Sequence, residues 1–184
     1  MNTLRKILAA GLLSGLSLGG SAALAAETDT LVVYFSATGR TEVAAEAIAA
    51  ELKADTFALN PAVPYSVKDL DYRDPESRSS KEHQDPSIKP EYTGDVADWN
   101  KYGTVYIGYP IWWGEAPNIV YTFAEKHDFS GKTVITFSTS GSSGHGQSSE
   151  HLAAKAGAGS WKPGKGFSSS VNTAEVKKWA RESR

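Results

Sequence analysis

Short apolar runs alternate with amphipathic stretches along most of the chain. The apolar runs are rich in Val, Ile and aromatic residues and predict strands at 31–35, 56–59, 104–109 and 133–137, with a last strand within 159–168. The amphipathic stretches predict helices at 41–54, 117–127, 147–156 and 174–182. Strands that alternate with helices and are apolar on both faces predict an α/β fold with a parallel sheet covered on each side.

One long segment interrupts this alternation. The connecting segment, residues 60–100, holds five of the eight prolines and carries nine acidic against five basic residues. A structureless connection of this length is unusual in a compact domain, and we expect a short helix near Pro75–Glu82. Two interpretations remain open. The segment is a solvated surface connection, which we favour, or it is a flap beside a binding site.

The first 25 residues have the pattern of a secretory signal peptide. Arg5 and Lys6 precede an apolar run over 7–18, and Ala23-Leu24-Ala25 has the A-x-A form of a cleavage site. A membrane anchor or an N-terminal helix is the alternative, but the run is short and rich in Gly. We therefore expect an exported protein, periplasmic or extracellular, with no stable membrane anchor and a single domain over residues 26–184.

Composition narrows the chemistry of that domain. Residues 26–184 carry 17 basic and 21 acidic side chains, a formal net charge of −4, and no basic cluster suggests a nucleic acid partner. The sequence has no cysteine, which excludes disulfides and thiolate metal sites. His83, His127 and His151 have neither an i,i+4 partner nor clustered carboxylates, so we expect no metal site.

Three loops that follow predicted strands have an unusual composition. The first loop, Ser36–Thr41, is rich in hydroxyls; the second loop, Pro110–Gly114, has two adjacent indoles; and the third loop, Ser138–Gly144, is built of Ser, Thr and Gly. Ligands of open parallel sheets bind outside the carboxyl ends of the strands. Together the three loops suit a ligand with a phosphate at one end and a flat aromatic ring at the other.

The first loop lies between a strand and a helix, where free backbone N–H groups and the positive helix end favour a phosphate. A Ser/Thr helix cap is the simpler interpretation, but one cap needs only one hydroxyl, and the loop has three with a Gly. The loop lacks the Gly-Lys-Ser/Thr ending of a nucleoside triphosphate site and the three glycines of a dinucleotide fingerprint. It therefore fits a single phosphate monoester.

These motifs resemble the flavodoxin family. The pattern Ser36-x-Thr38-Gly39-x-Thr41 matches the phosphate loop of flavodoxins. Two further stretches are similar to a flavodoxin-like branch with many exported bacterial proteins, namely Gly108-Tyr109-Pro110-Ile111-Trp112-Trp113-Gly114 and Ser130-Gly131-Lys132 with Thr139-Ser140-Gly141. The resemblance implies a flavodoxin-like three-layer sandwich over residues 26–184, with a five-stranded parallel sheet in the order 2-1-3-4-5. It also implies non-covalently bound FMN.

The same resemblance implies which residues hold the cofactor. The first loop would hold the phosphate through Ser36, Ala37, Thr38, Gly39, Arg40 and Thr41. The second would line the flavin ring through Pro110, Ile111, Trp112, Trp113 and Gly114, and the third would meet its pyrimidine edge through Thr139, Ser140, Gly141, Ser142 and Gly144. Relatives often have Gly where this chain has Ser142, so we expect Ser142 to loosen flavin binding if that Gly permits close approach.

Several side chains have more than one interpretation. Trp112 and Trp113 would point in opposite directions on an extended loop, so one packs inward and the other stacks on the ring, and the sequence does not choose between them. His145, just past the third loop, is either a proton donor at the site or a surface residue, and the latter is the commoner case. Ser77–Ser80 is interpreted as a solvated linker.

Three functions are compatible with this pattern. The first is an electron carrier with a redox partner protein or a small electron donor or acceptor. The second is an FMN-dependent NAD(P)H or quinone reductase, which needs a pocket over the ring that the connecting segment would build. The third is a flavin-free ligand-binding module on the same fold.

Overall fold

Five strands and five α-helices alternate through residues 28–184, the part of the chain that the computed structural model describes. The strands are β1 (Thr30–Tyr34), β2 (Asp55–Ala58), β3 (Thr104–Pro110), β4 (Thr133–Ser140) and β5 (Ser160–Ser168). The helices are α1 (Arg40–Leu52), α2 (Arg78–Gln84), α3 (Asn118–Lys126), α4 (Ser148–Ala156) and α5 (Thr173–Glu182). The predicted signal peptide at 1–25 lies outside the described residues.

The strands form one parallel sheet in the order β2-β1-β3-β4-β5, which confirms the predicted fold class. The central strands are buried on both faces, as the β-branched sequence of β1 (TLVVY) predicts. The chain runs from β1 outward to β2 and then returns to place β3 on the other side of β1. The carboxyl ends of β1 and β3 therefore flank the point where the winding direction reverses, which is where such sheets bind ligands.

Two helix layers cover the sheet. Helices α1 and α5 bury one face through a cluster that includes Ala44, Ile48 and Val176. Helices α3 and α4 bury the other face through Ile119, Phe123 and Leu152. The small residues of α1 allow this helix to approach the sheet closely, because alanine adds only one methyl group between the two backbones.

The connecting segment contains the expected short helix, α2, and packs against the domain. Ser77, Ser79 and Ser80 are each at most 3% exposed, so the interpretation of Ser77–Ser80 as a solvated linker is wrong. The physical reason is local, since the Ser77 side chain caps α2 by accepting from the backbone N–H of Ser80. Because serine side chains are short and uncharged, these positions can be buried without burying a charge.

Polar contacts hold α2 in place. The buried carboxylate of Glu82 accepts from the phenol of Tyr65 at 2.5 Å and from Nε of Arg78 at 2.7 Å. Burial, followed by the bond to Glu82, raises the pKa of Tyr65, so this phenol stays protonated and donates. Nδ2 of Asn118 in α3 donates to the carbonyl oxygens of Glu82 and Ile88. The connecting segment is therefore a fixed wall of the domain.

His145 anchors the chain that follows β4. Its Nδ1 lies 2.7 Å from Oγ of Ser138, and its Nε2 lies 2.9 Å from Oγ1 of Thr136 and 2.6 Å from Oγ of Ser149. A Cβ at Gly164 of β5 would overlap His145 Nε2, so the missing side chain makes room for the ring. His145 is thus partly buried and hydrogen-bonded through both ring nitrogens, which corrects its interpretation as a surface residue.

We expect Gly164→Ala to destabilise the protein by about 1–3 kcal/mol, because the added methyl group must displace His145 and Thr136. The matched control is Gly144→Ala, where nothing lies within 4 Å of the new Cβ. Urea denaturation of both variants measures the free energy of unfolding. Equal stability of the two variants would contradict the role of Gly164 as space for the ring.

Burial lowers the pKa of His145 below its ordinary value. The unfolded chain therefore binds the proton more readily, so this residue's contribution to stability is complete above about pH 6.5 and falls as the pH decreases below it. We expect the free energy of unfolding to drop more between pH 7 and pH 5.5 for the wild type than for His145→Gln. Parallel pH profiles of the two proteins would refute this expectation.

Candidate functional site

The carboxyl ends of β1, β3 and β4 open into one cavity of about 340 Å³. All three loops contribute to its wall, and twelve of the sixteen predicted site residues line it, namely Ser36, Ala37, Thr38, Arg40, Thr41, Pro110, Ile111, Trp112, Trp113, Thr139, Ser140 and Gly141. The other four, Gly39, Gly114, Ser142 and Gly144, do not line it. The topology therefore brings together the loops that the sequence singled out.

The hydroxyls of the first loop do not cap α1. Gly39 is the N-cap residue, with φ of 81°, and no side chain makes a capping hydrogen bond there. The left-handed φ explains the glycine, since other residues rarely adopt it. Oγ of Ser36 is buried and has no hydrogen-bond partner within the described part of the chain. These observations remove the simpler interpretation of the loop as a helix cap.

Two hydrogen bonds tie the loops to one another. Oγ1 of Thr41 lies 2.8 Å from Oγ1 of Thr139, and both residues are buried, so the start of α1 is fixed to the end of β4. The backbone N–H of Ile111 donates to the carbonyl of Thr139 at 2.9 Å, which joins the second loop to the same strand. Thr139 is thus the common point of attachment of the cavity wall.

Charge on the cavity wall has one sign. Arg40 is the one charged residue among the described residues that line the cavity. Its Nη1 donates to the carbonyl of Ser169 at 3.2 Å, which holds the guanidinium at the wall. A cation, an uncapped helix N-terminus and a buried free hydroxyl form an environment that suits an oxyanion.

The second loop forms a tight turn rather than the expected extended chain. Trp112 and Glu115 exchange two backbone hydrogen bonds of 2.9 Å, and Trp113 and Gly114 between them have φ of 49° and 85°. Positive φ at both central positions is the signature of a type I′ turn. Gly114 therefore serves the conformation of the turn, and it does not line the cavity.

This turn separates the roles of the two indoles. Trp112 packs inward, with its ring centroid 5.6 Å from that of Phe35 and 5.5 Å from that of Tyr65. Trp113 faces outward, is 41% exposed and stacks on His83 of α2 at a centroid distance of 4.9 Å. Trp113 is the more exposed of the two indoles, and both line the cavity.

The connecting segment supplies residues that the sequence reasoning missed. Leu70, Tyr72 and Ser79 line the cavity, so the segment forms part of its wall and the preferred interpretation as a solvated surface connection is wrong. Tyr72 could have been noticed in the sequence, because it is an aromatic residue between the charged residues Asp71 and Arg73. Ser79 carried no such signal, because one serine in a Ser-rich stretch has no pattern that points to a ligand.

The third loop contributes its first residues only. Ser140 and Gly141 line the cavity, whereas Ser142 and Gly144 are exposed outside it. Ser142 does not line the cavity, and its expected effect on flavin binding stays a prediction. The Ser140 hydroxyl donates to the carbonyl of Ser143, which closes the loop on itself.

Lys132, the last residue of the matched Ser-Gly-Lys motif, is structural. It is buried at the start of β4, at the edge of the sheet opposite the cavity. Its Nζ donates to the carbonyl oxygens of Trp99 at 2.9 Å and Tyr102 at 2.6 Å. This part of the motif therefore ties the end of the connecting segment to the sheet.

A second cavity of about 280 Å³ lies between α2, α3 and α4. Trp112 belongs to the walls of both cavities. Apolar side chains such as Ile88, Ala116 and Tyr121 line the second cavity. Pairs of oppositely ionisable side chains also belong to its lining. One of these pairs joins His151 and Glu115 at 2.8 Å.

Residues 28–184 contain neither a cluster of metal ligands nor a helix suited to crossing a membrane. No three His, Asp or Glu side chains in this range come close enough together to hold a metal ion. None of the helices described there combines the length and apolar character needed to cross a membrane.

Comparisons with known proteins agree with this architecture. The chain is similar to a candidate flavoprotein from Bacteroides eggerthii, with 40% identity, coverage of 83% of this chain and 96% of that chain, and a TM-score of 0.77. A candidate flavoprotein from Bacteroides uniformis gives 40% identity, coverage of 83% and 97%, and a TM-score of 0.78.

A flavoprotein from Lactobacillus acidophilus, solved in complex with FMN, shares the fold at 24% identity. The match covers 82% of this chain and 97% of that chain, with a TM-score of 0.60. No curated protein matched the chain. A family model described as flavodoxin matches residues 29–183. From the sheet order, the three loops at its switch point and this match over nearly all described residues, the chain belongs to the flavodoxin family.

Proposed function

We propose that this protein binds FMN non-covalently in the cavity of about 340 Å³ and transfers electrons through it. The observation that carries the proposal is the buried hydroxyl of Ser36, which has no partner within residues 28–184 and lies beside the uncapped start of α1. An unpartnered buried hydroxyl costs free energy, and a bound phosphate oxygen would satisfy it.

The remaining residues of the cavity fit the same cofactor. Arg40 supplies a positive charge for a phosphate, and the hydroxyl of Thr38, on an exposed residue, is available to it. Trp113 offers an indole surface for a flat ring, and Ser140 and Gly141 are placed to meet a polar ring edge. The Lactobacillus acidophilus flavoprotein, a member of the same fold, was solved with FMN, which supports the assignment.

Bound FMN supplies the redox chemistry, while the protein binds, orients and tunes it. The second loop would present the indole of Trp113, and the net charge of −4 on residues 26–184 would disfavour a further negative charge on a reduced flavin. As an electron carrier, the protein would exchange electrons with a redox partner protein, or with a small donor or acceptor, at the exposed edge of the ring.

Export is part of the proposal. The predicted signal peptide at 1–25 would direct the chain to the periplasm or the exterior. It lacks an Arg-Arg pair, so the chain would cross the membrane unfolded and acquire FMN outside the cytoplasm. The cavity must therefore bind free FMN without help from cytoplasmic folding.

We expect the protein purified from the periplasmic fraction to show the visible absorption bands of a flavin, and the colourless form to bind added FMN. Ser36→Ala should weaken FMN binding by about 1–3 kcal/mol, because a ligand hydrogen bond is lost. Titration of FMN fluorescence measures the dissociation constant of FMN for the wild type and for Ser36→Ala. Ser170→Ala, an exposed serine outside the cavity wall, is the matched control and should bind like wild type.

Two outcomes would overturn parts of this proposal. A colourless protein that fails to bind added FMN would exclude the flavin function and leave the flavin-free ligand-binding module. Unchanged affinity of Ser36→Ala, with wild-type FMN binding intact, would show that the Ser36 hydroxyl does not contact the phosphate.

A reductase is the second candidate function, and the cavity of about 280 Å³ favours it. Small-molecule sites are concave, mostly apolar and supplied with a few polar groups. The second cavity has this character and shares Trp112 with the proposed flavin cavity, so a small electron donor or acceptor could lie one indole away from it.

If the protein is a reductase, NADPH alone should reduce the bound flavin rapidly, with turnover on a soluble quinone. Ile88→Trp, which fills the second cavity, should raise KM for the quinone about tenfold without changing FMN affinity, because only one of the two sites is altered. The control is Val67→Trp, a fully solvated position outside both cavities. Steady-state kinetics would exclude a nicotinamide-dependent reductase if neither NADPH nor NADH reduced the flavin.

A further inference from the structure

We propose that Ser79 of α2 is a further ligand-binding residue, whose hydroxyl forms a hydrogen bond with a polar group of the bound flavin. This inference rests on the proposed FMN function and adds a contact from outside the three loops. The connecting segment would then touch the ligand directly.

The first support is a pair of unsatisfied groups in one cavity. Three buried side-chain oxygens have no hydrogen-bond partner within residues 28–184, those of Ser36, Ser79 and Tyr92. Ser36 and Ser79 line the same cavity, although they are 43 positions apart and belong to different elements. Buried polar groups without a partner are rare in folded proteins. Two of them on one cavity wall indicate a polar ligand that reaches both.

The second support is the contrast between Ser79 and its neighbours. Ser77 and Ser80 are equally buried, but their hydroxyls lie 2.9 Å apart and bond to each other. Ser79 is 2% exposed, lines the cavity and takes no part in this pair. The packing of α2 therefore needs the hydroxyls of Ser77 and Ser80, whereas nothing in the described protein uses that of Ser79.

The third support is that α2 is held rigidly. Glu82 joins Tyr65 and Arg78, the guanidinium of Arg78 lies 3.9 Å from the Tyr65 ring centroid, and Asn118 binds the backbone of Glu82. These contacts fix the helix that carries Ser79 before a ligand arrives. A preorganised donor adds affinity, since little conformational freedom is lost on binding.

The position of Ser79 on α2 places it near the indole turn. His83 lies one helical turn later on the same face and stacks on Trp113. Ser79 therefore shares a helix face with the residue that stacks on Trp113, and it lines the same cavity as the first loop. The partner of its hydroxyl on a flavin would be either a phosphate oxygen or a ribityl or ring oxygen, and the two cases differ in whether the phosphate is required.

The test is a comparison of Ser79→Ala with wild type in two measurements. We expect FMN to bind about tenfold more weakly, since one buried hydrogen bond is lost. The melting temperature of the apoprotein should stay equal or rise, because the substitution removes an unsatisfied buried group. Ser79→Thr, which keeps the hydroxyl, should restore most of the affinity.

Ser77→Ala is the matched control. Ser77 is the residue directly before α2. Its buried hydroxyl caps the helix, and the residue does not line the cavity. We expect the substitution to lower the melting temperature of the apoprotein. A destabilising Ser79→Ala would assign Ser79 a structural role like that of Ser77 and overturn the inference.

Riboflavin, which lacks the phosphate, separates the two sources of the contact. If Ser79→Ala weakens FMN but not riboflavin, the partner is the phosphate; if it weakens both, the partner is the ribityl chain or the ring. Either result supports the inference. If wild type binds FMN and Ser79→Ala binds it equally well, the inference is wrong while the proposed function stands. If wild type does not bind FMN, the proposed function itself fails.

Discussion

The parallel pairing of β1 with β3 is the constraint on which the rest of the molecule depends. It directs the carboxyl ends of both strands to one edge, and the return of the chain from β2 leaves an opening there. The first and second loops meet at this opening because their strands are neighbours. The third loop joins them because β4 pairs with β3, and Thr139 then bonds to both Thr41 and Ile111.

Hydroxyl groups on the cavity wall divide into two kinds. Those of Thr41 and Thr139 bond to each other and hold the wall together, whereas those of Ser36 and Ser79 are buried without a partner. A satisfied pair lowers the free energy of the folded state, and an unsatisfied group raises it. The protein thus tolerates a local cost at the positions where a ligand would remove it. Such costs are expected at functional sites rather than at random in a core.

The connecting segment turns an open crevice into a walled site. Its helix α2 is fixed by Glu82 and Asn118, supplies Ser79 to the first cavity and stacks His83 on Trp113. It also forms part of the second cavity, which Trp112 separates from the first. The same segment therefore shapes both the proposed flavin site and the space available to a small redox partner. Under the proposed function, a reductase would bind a small electron donor or acceptor in the second cavity, whereas a carrier would not need it.

The order of the elements and the three unusual loops are visible in the amino-acid sequence. Apolar periodicity located β1 to β4 and the helices α1, α3, α4 and α5 to within a few residues. The pattern is clearest for β1, β3 and β4, because burial on both faces leaves an unbroken apolar run. The motif resemblance then ordered the strands. The connecting segment forms part of the cavity wall, Trp113 stacks on His83, and His145 fits beside Gly164 of β5 only in the folded chain. These contacts join residues of different elements, so a periodic pattern of apolar residues does not reveal them. Ser79 was invisible for the same reason: burial beside a cavity is a property of packing, and no local pattern of residues encodes it.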